Sequence, residues 1–347
     1  MVVTVATFYS GGRLWSELAG DNDVALVSLG KKPGVLNLPM FMLRLRRLVR
    51  DVRPDVIHGY MGGANELTLM MGKLSGARTV WGLRASDMEN ALYGRKASAL
   101  FRVGATLSKW PDLIIANSEA GRRHHIANGY RGDRMRVIRN GINTERFRPD
   151  PAVRPEYHRE WGIAPRVQVI GLVARIDPMK DHANFLQAAA LMIRRRPETR
   201  FVCVGGGPRA QSEHLLARTR DLGLKDYVVW SHERSDIERV YNAFDICTSA
   251  SAFGEGFSNA LGESMSSGVP CVATDVGDAS VIVGPTGIIV PPRDPVALAA
   301  AWEEMLSLEP DVRGALGQQA RARIIERFSL EVFARDSIDA LSTLCQR

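Results

Sequence analysis

The amino-acid sequence predicts an α/β protein built from two Rossmann-like domains, and three observations lead to this prediction. The chain has 347 residues, about twice the length of a typical domain. Short apolar segments alternate with helical segments throughout, as expected of parallel sheets with helices on both faces. Residues 147–155 hold three prolines and break this alternation near mid-chain. We therefore predict two domains that face each other across a cleft, with ligands bound at the carboxyl ends of their strands.

The apolar segments place the predicted elements along the chain. In the first domain, residues 1–155, we predict strands at residues 2–7, 24–29, 56–59, 79–82, 113–117 and 136–138. In the second domain, residues 156–328, we predict strands at residues 167–173, 200–204, 227–230, 244–247, 269–273 and 287–290, and helices at 183–196 and 210–222. Residues 329–347 hold a final helix, at about 330–344, which we expect to pack back toward the first domain.

The net charge of +7 is concentrated in the first domain. Residues 1–150 hold 23 Lys and Arg against 13 Asp and Glu, so they carry +10 and the remainder carries −3. A basic half favours an anionic partner such as phospholipid or a lipid diphosphate. Phe41, Leu45, Leu48 and Val49 form an apolar stripe flanked by arginines. This pattern is typical of a helix packed on a sheet, which is the interpretation that we favour. A helix at a membrane surface is the alternative.

Composition and spacing exclude several classes of protein. No apolar stretch approaches the ~20 residues that span a bilayer, and no signal peptide is visible. We therefore expect a cytoplasmic protein. If it contacts lipid, we expect that contact at the inner face of the cytoplasmic membrane. The four cysteines lack metal spacing and are predicted to be reduced thiols. Asp21, Asn22 and Asp23 have an Asp-x-Asp form but read as a polar turn, so no metal is predicted. No recognition module suggests a nucleic-acid partner.

The most informative segment is residues 255–263, between two predicted strands. We predict that a helix begins near its third residue, and the free N–H groups of a helix start form an anion site at the carboxyl end of a strand. Carboxylates repel phosphate, so Glu255 and Glu263 are predicted to accept hydroxyl groups, from a transferred sugar and from a ribose respectively. Glu263 is expected roughly two turns into the helix. A sugar nucleotide fits this arrangement. The free N–H groups are predicted at Gly256, Phe257, Ser258 and Asn259.

A diphosphate also needs cations, and two follow the predicted strand 167–173. Arg175 suits bidentate contact with phosphate oxygens, and Lys180 adds a point charge. Together they would stabilise the negative charge that develops on a leaving diphosphate. Gly205 begins a Gly-Gly-Gly-Pro-Arg-Ala segment that has the form of a dinucleotide fingerprint, but we favour a Gly-rich wall of the donor site.

These motifs resemble glycosyltransferase family 4 (glycosyltransferases group 1), whose GT-B fold consists of two facing Rossmann-like domains. Gly171, Arg175 and Lys180 match the family's Gly-x-x-x-Arg…Lys segment, and Glu255 and Glu263 match its Glu-x7-Glu motif. The resemblance covers about residues 50 to 345. It implies a retaining transfer that needs no metal or other cofactor, with Arg175, Lys180 and Glu255 as catalytic residues.

The resemblance also implies which residues contact the nucleotide of the donor and which contact the acceptor. The loop that contains Arg234 resembles the family's loop near the nucleotide base, which assigns Arg234 to donor binding. Relatives often carry an acceptor-side histidine after the fourth N-terminal strand, but here residues 81–87 offer Arg84 and Asp87 instead. We expect these two residues, with His58 as a third candidate, to contact the acceptor.

The N-terminus departs further from the family's pattern. The strand at residues 2–7 looks like the family's second strand rather than its first, and Gly11 and Gly12 follow it at a short spacing. We therefore expect the family's first strand, Gly-rich loop and first helix to be absent. A shortened but genuine N-terminus is the alternative.

The sequence thus predicts transfer of a sugar from a UDP- or GDP-sugar to a glycan or lipid-linked acceptor, in cell-surface polysaccharide or lipopolysaccharide assembly. Two other kinds of function stay open at this point. One is a GT-B-type sugar-nucleotide epimerase or phosphorylase. The other is a nucleotide-sugar-binding protein whose catalysis is impaired by a truncated first domain. The nucleotide base, the sugar and the acceptor are not specified by these motifs.

Overall fold

The computed structural model describes residues 2–11, 23–32, 37–86 and 95–346, together with the isolated positions 15, 18 and 20 and with residues 95–97 as backbone only. Every strand pairing in these ranges is parallel, which confirms the predicted α/β fold. The C-terminal domain contains one six-stranded sheet, and the N-terminal domain contains one two-stranded and one four-stranded sheet. The strands are β1 Val3–Thr7, β2 Val24–Ser28, β3 Val56–Tyr60, β4 Arg78–Leu83, β5 Leu113–Ala116, β6 Met135–Val137, β7 Val169–Val173, β8 Arg200–Val204, β9 Val228–Ser231, β10 Ile246–Ser249, β11 Cys271–Thr274 and β12 Gly287–Val290.

Helices cover both faces of these sheets, because each crossover between parallel strands returns over the sheet surface. They are α1 Leu38–Val52, α2 Ala64–Ser75, α3 Arg95–Leu107, α4 Glu119–Ala127, α5 Arg154–Glu160, α6 His182–Met192, α7 Arg209–Asp221, α8 Ile237–Val240, α9 Asn259–Ser266, α10 Ala279–Val283, α11 Pro295–Ser307, α12 Pro310–Phe328 and α13 Leu330–Cys345. Among the helices described, none is both long and apolar enough to cross a membrane.

The six-stranded sheet has the strand order β12-β11-β10-β7-β8-β9. Its central strand β7 is almost continuously apolar, and Val169, Ile170 and Leu172 are at most 1% exposed. Such a run is typical of a parallel strand that is buried on both faces. Two apolar clusters, one on each side of the sheet, form the core of this domain.

Three strands of the second domain, β7, β10 and β11, begin two residues later than predicted, and the other described strands begin within one residue of the prediction. Residues 244–247 were predicted as a strand, but β10 begins at Ile246, because the Phe244 ring leaves the ladder to pack on Gly171. Residues 269–273 were predicted as the next strand, but β11 begins at Cys271, because the N–H of Val269 still bonds to the end of α9. The predicted helix 183–196 also ends early, at Met192.

The N-terminal strands fall into two groups that leave a gap between them. Among the described strands, β1 pairs with β2 alone, whereas β3, β4, β5 and β6 form the other sheet in that order. A cavity of about 300 Å³ lies between the groups, and its walls include Ala6 on β1 and Ile57 on β3. β1 is therefore not central in a continuous sheet. Gly11 has φ +92°, and Gly12 lies outside the described residues. The expected absence of a strand, loop and helix ahead of β1 stays a prediction.

The stripe on α1 packs inward. Phe41 and Val49 are buried, and the Phe41 ring meets Phe8 edge-to-face with the ring centres 5.2 Å apart. Arg44 donates from Nη1 to the carbonyl of Leu29 at 3.2 Å. The favoured interpretation, a helix packed on a sheet, therefore describes this face of α1.

The chain returns to the N-terminal domain at its C-terminal end. A β-bridge joins Ile142 to Ser329, where α12 ends and α13 begins. Ala340 of α13 is 4% exposed and packs with Val80 and Ile115 of the four-stranded sheet. The final helix thus contacts the N-terminal sheet, while the domain limits at 155 and 328 stay predictions.

Candidate active site

The carboxyl ends of β7 and β10 meet at the centre of the six-stranded sheet. The chain adds β8 and β9 on one side of β7 and then β10 to β12 on the other, so the strand order reverses between β7 and β10. Open α/β sheets bind ligands in the crevice at such a switch point. Arg175 and Lys180 follow β7 and Glu255 follows β10, so topology brings the sequence-predicted catalytic residues to one edge.

Lys180 and Glu255 form an ion pair across this switch point. Their side chains are only 18% and 10% exposed, so the charges attract each other in surroundings that water screens weakly. Glu255 Oε1 accepts from Lys180 Nζ and also from Ser251 Oγ, at 2.8 Å. In the described part of the chain, no protein donor bonds to Glu255 Oε2. The pair therefore leaves one acceptor oxygen for a ligand hydroxyl.

The helix α9 begins at Asn259, two residues later than predicted, with Ser258 at the N-cap position. Phe257 explains the delay, since its ring is buried against Phe328 with the ring centres 5.5 Å apart and the chain stays extended through Ser258. The Ser258 side chain does not cap this helix. The first N–H groups of the helix begin at Asn259 and point to an open end, as an anion site requires. The predicted positions Gly256, Phe257 and Ser258 precede the helix, so of the four predicted residues only Asn259 belongs to it.

Glu263 lies one turn into α9 rather than two, because the helix starts late. Burial raises the pKa of its carboxyl, and the Tyr241 hydroxyl donates to Oε2 at 2.9 Å. Tyr241 is fully buried, so this contact fixes the carboxyl at the base of the site. Its predicted contact with a ribose stays a prediction.

Arg175 differs from Lys180 in its exposure. Its side chain is 74% exposed, and its ion-pair partner Asp177 is 3.9 Å away. An exposed pair at this distance contributes little to stability. The guanidinium therefore keeps nearly all of its donor capacity for a phosphate that enters at the end of β7.

Gly205 supports the loop that carries Arg175. It has φ +145°, and a Cβ at this position would lie 2.0 Å from the carbonyl oxygen of Ala174. The backbone after β8 thus approaches the backbone after β7 more closely than any side chain permits. This explains the glycine as part of the wall of the site, whereas direct contact with a donor is untested.

Substitution Gly205→Ala is expected to lower the free energy of unfolding by about 3 kcal/mol, because it combines backbone strain with a backbone clash. Gly223→Ala is the matched control, since Gly223 has φ +71° but open space around it, and it should lose only about 1 kcal/mol. Urea unfolding measures both values. Equal losses for the two variants would contradict the close-approach argument.

Two other predicted donor residues have protein partners. Gly171 lies in the middle of β7, where a Cβ would sit 2.2 Å from the Phe244 ring, so the structure gives it a packing role. Arg234 donates to Asp236 at 2.8 Å through both Nε and Nη2 and also pairs with Glu160. These carboxylates raise the pKa of the Arg234 guanidinium further and hold it in place. Its contact with a nucleotide base stays a prediction.

Arg84 reaches the donor segment through one intermediate. Its Nη1 donates to Asn140 Oδ1 at 2.7 Å, and Asn140 Nδ2 donates to Asn259 Oδ1 at 2.9 Å. Asn259 is the first residue of α9, so a predicted acceptor residue is linked to the open helix end. The Arg84 guanidinium also lies 4.8 Å from the centre of the Tyr60 ring. Arg84 therefore lies on the cleft side of the N-terminal domain.

His58 is partly buried beside the gap in the N-terminal sheet. Its ring stacks on Tyr60 at 4.2 Å, and its Nε2 has no hydrogen-bond partner among the described residues. Burial, with a smaller contribution from Arg84, lowers the pKa of His58 to about 4, so the ring is neutral at pH 7. The third acceptor-side candidate, Asp87, lies outside the described residues.

One histidine of the His124–His125 pair is not on the solvated face that its sequence context suggests. His125 is 7% exposed, and its Nδ1 bonds to the carbonyl of Gly121 at 2.7 Å. Phe101 and Tyr130 pack against its ring. The basic residues that precede the pair in the sequence suggest a solvated helix face, so the sequence alone does not predict that His125 is buried.

Sequence reasoning missed the polar residues of the interdomain boundary. Asp278 is 1% exposed and accepts hydrogen bonds from N-terminal residues. Asn117 lies so close to Gly256 that a Cβ there would be 2.4 Å from Asn117 Oδ1. Both are ordinary polar loop residues in the sequence, so only a known domain arrangement could have revealed them.

Comparisons with known proteins agree with this fold and these motifs. A family model described as Glycosyltransferase Family 4 matches residues 2–146, and one described as Glycosyl transferases group 1 matches residues 167–307. The solved structure of HepE from Anabaena in complex with UDP-glucose is 20% identical, with a TM-score of 0.85, and the match covers 98% of this chain and 91% of that one. That similarity shows the fold, which is the GT-B arrangement of two facing domains.

Curated relatives are glycosyltransferases. The D-inositol 3-phosphate glycosyltransferase of Corynebacterium diphtheriae is 33% identical over 212 residues, 57% of this chain and 49% of the relative. The GDP-mannose-dependent alpha-(1-6)-phosphatidylinositol monomannoside mannosyltransferase of Mycobacterium tuberculosis is 26% identical over 316 residues, 87% and 80% respectively. The matches to the D-inositol 3-phosphate glycosyltransferases span about half of the length of those relatives.

The fold and its switch-point site thus define a GT-B protein with a polar interdomain cleft. Within that class, the chain belongs to the glycosyltransferases of family 4, also described as group 1.

Proposed function

We propose that this protein is a retaining glycosyltransferase that moves a sugar from a UDP- or GDP-sugar to a glycan or lipid-linked acceptor. The observation that carries the proposal is the convergence of Lys180, Glu255 and the uncapped start of α9 at one switch point. A cation, a hydroxyl acceptor and an anion site suit the diphosphate and sugar of one donor.

We assign a task to each group in this proposal. Glu255 holds a hydroxyl of the transferred sugar through Oε2, while Lys180 and the exposed Arg175 neutralise the diphosphate as it leaves. Lys180 is paired with Glu255, which keeps both charges from being buried alone. The proposed chemistry needs no metal, because these cations meet the leaving group.

The proposed acceptor binds on the N-terminal side, near Arg84. A lipid-linked acceptor would bring the protein to the inner face of the cytoplasmic membrane, as the basic N-terminal half favours. On α1 the outward face carries Met40 and Leu43, 48% and 41% exposed, beside the exposed Arg46 and Arg47. Basic and apolar side chains together suit an anionic lipid surface. This setting is cell-surface polysaccharide or lipopolysaccharide assembly.

Calorimetric titration with UDP-glucose, GDP-mannose and related UDP- and GDP-sugars tests the donor assignment. We expect one nucleotide series to bind and the other to bind weakly. If Glu255→Ala and Lys180→Ala bind every donor as tightly as the unmodified chain does, the site assignment is wrong. Lys225→Ala, an exposed lysine far from both loops in sequence, is the control.

Transfer of radiolabelled sugar from the bound donor to membrane extracts separates the proposed reaction from its alternatives. A labelled glycan or lipid product supports the transferase. Epimerised donor, or product formed only with inorganic phosphate, would indicate an epimerase or a phosphorylase. Donor binding without any product would indicate a binding protein with impaired catalysis, to which the gap beside β1 gives some structural support.

A further inference from the structure

Asp278 connects the two domains through its side chain. It occupies the N-cap position of α10 but makes no side-chain hydrogen bond to that helix. Its carboxylate turns instead to the N-terminal domain. Oδ2 accepts the N–H of Glu119 at 3.0 Å, and Oδ1 accepts the N–H of Ala120 at 2.9 Å. A carboxylate of one domain therefore caps helix α4 of the other.

An arginine balances the charge of this cap, and a serine caps the same helix start from within the N-terminal domain. Arg139 Nε donates to Oδ2 of Asp278 at 3.0 Å, so the negative charge is balanced although it is 1% exposed. Within α4 itself, Ser118 Oγ accepts the N–H of Gly121 at 2.9 Å. Ser118 and Asp278 together satisfy the first three N–H groups of α4, which a helix start otherwise leaves unpaired. Separation of the domains would expose these groups and leave Asp278 without its partners.

The backbone around Asp278 is tied to the donor segment. Its N–H donates to the carbonyl of Gly256 at 3.0 Å. The preceding Gly277 has φ +68°, and a Cβ there would lie 2.4 Å from the carbonyl oxygen of Glu255. The 277–278 turn therefore packs directly against the Glu255 and Gly256 peptides. A force on the Asp278 carboxylate is therefore transmitted directly to the residue that pairs with Lys180.

We infer that Asp278 is a positioning residue that couples closure of the two domains to the placement of Glu255. In the closed arrangement its carboxylate holds α4 and Arg139, and its backbone holds the Glu255–Gly256 peptide. When the domains open, the carboxylate must find water instead, and the peptide loses its fixed position. The closure itself does not depend on the proposed function, whereas its effect on donor affinity rests on that function.

Distance measurement between two spin labels tests the closure without any ligand. Labels on Val103→Cys and Val296→Cys, both exposed sites in different domains, are placed in a Cys345→Ser background that lacks the exposed thiol. Asp278→Asn replaces one carboxylate oxygen by an amide NH2 group. This group cannot accept the hydrogen bond that the oxygen accepts, and it faces an N–H of the N-terminal domain. We expect this variant to shift the distance distribution to longer and broader values.

Arg139→Gln removes the same charge pair from the partly exposed side and should produce a smaller shift of the same sign. Asp112→Asn is the matched control, because Asp112 accepts from Arg78 Nη1 at 3.0 Å and from the Thr79 N–H at 2.8 Å within one domain. It should lower stability without a change in distance. If Asp278→Asn does not fold, the Arg139→Gln result decides the inference.

Donor affinity supplies the second measurement, with UDP-glucose and GDP-mannose as probes. Whichever donor binds the unmodified chain should bind Asp278→Asn tenfold or more weakly, from the loss of a buried charge partner, and Asp112→Asn with unchanged affinity. If no UDP- or GDP-sugar binds the unmodified chain, the proposed function fails while the distance result still stands. The inference is overturned if Asp278→Asn keeps the unmodified distance distribution and merely lowers Tm as Asp112→Asn does.

Discussion

Acidification from pH 7 to pH 4.5 should destabilise this protein by several kcal/mol. His125 and His182 are buried and His58 is partly buried, and loss of hydration is the main cause that lowers the pKa of each to about 4. In the unfolded chain a histidine has a pKa near 6.5. Below about pH 6.5 the unfolded state takes up three protons that the folded state refuses until about pH 4, so stability falls through this window.

The size of the effect follows from the pKa difference. A difference of one pKa unit corresponds to about 1.4 kcal/mol, so each histidine contributes about 3 kcal/mol when the full window is crossed. Two partly buried acids act in the opposite direction, because partial burial raises the pKa of Asp181 and Glu263, and their protonation favours the folded state. A net loss of several kcal/mol is comparable with the whole stability of a typical domain.

Urea unfolding at pH 7.5, 6.5, 5.5 and 4.5 measures this loss. His182→Gln should reduce the slope of stability against pH, whereas His214→Gln, at an exposed position on α7, should leave the slope unchanged. The absolute stability of His182→Gln is not the readout, since the ring stacks against Trp230. An unchanged slope in His182→Gln would show that this histidine stays accessible to protons in the folded state.

Two physical reasons explain why the sequence could place Lys180 and Glu255 at one edge of the sheet, where the structure brings them together. Apolar runs mark buried parallel strands, and the first polar residues after such strands share one edge of the sheet. Lys180 and Glu255 each lie within a few residues of a strand end, so their meeting required only the strand order. The family resemblance implied that these two residues share one donor site, and the structure supplied the strand order.

Long-range partners explain what the sequence did not predict. The start of α9 depends on burial of Phe257 against Phe328, a residue of a distant helix. The importance of Asp278 depends on hydrogen bonds to residues more than 150 positions earlier. His125 is buried by its neighbours Phe101 and Tyr130, which local charge did not reveal. In each case local sequence sets the element, and tertiary contacts decide the boundary or the role.

Lys180→Ala is expected to lower kcat/KM for sugar transfer about 10² to 10³-fold, the cost of removing one group that stabilises developing charge in a preorganised site. The substitution has two effects that would each lower kcat/KM. The leaving diphosphate loses a cation, and Glu255 loses the partner that holds it. Lys180→Arg keeps the charge with a different shape and should lose less, and Lys225→Ala should match the unmodified chain.

A double-variant cycle separates the two causes. Glu255→Gln removes the carboxylate that Lys180 holds, while Ser251 still hydrogen-bonds to this side chain. If Lys180 acts on the diphosphate, Lys180→Ala in the Glu255→Gln background must lower kcat/KM again by a large factor. If Lys180 only positions Glu255, the second substitution adds nothing, because the contact is already gone. The proposed role of Lys180 in charge stabilisation therefore depends on a substantial loss in the double variant beyond that of Glu255→Gln alone.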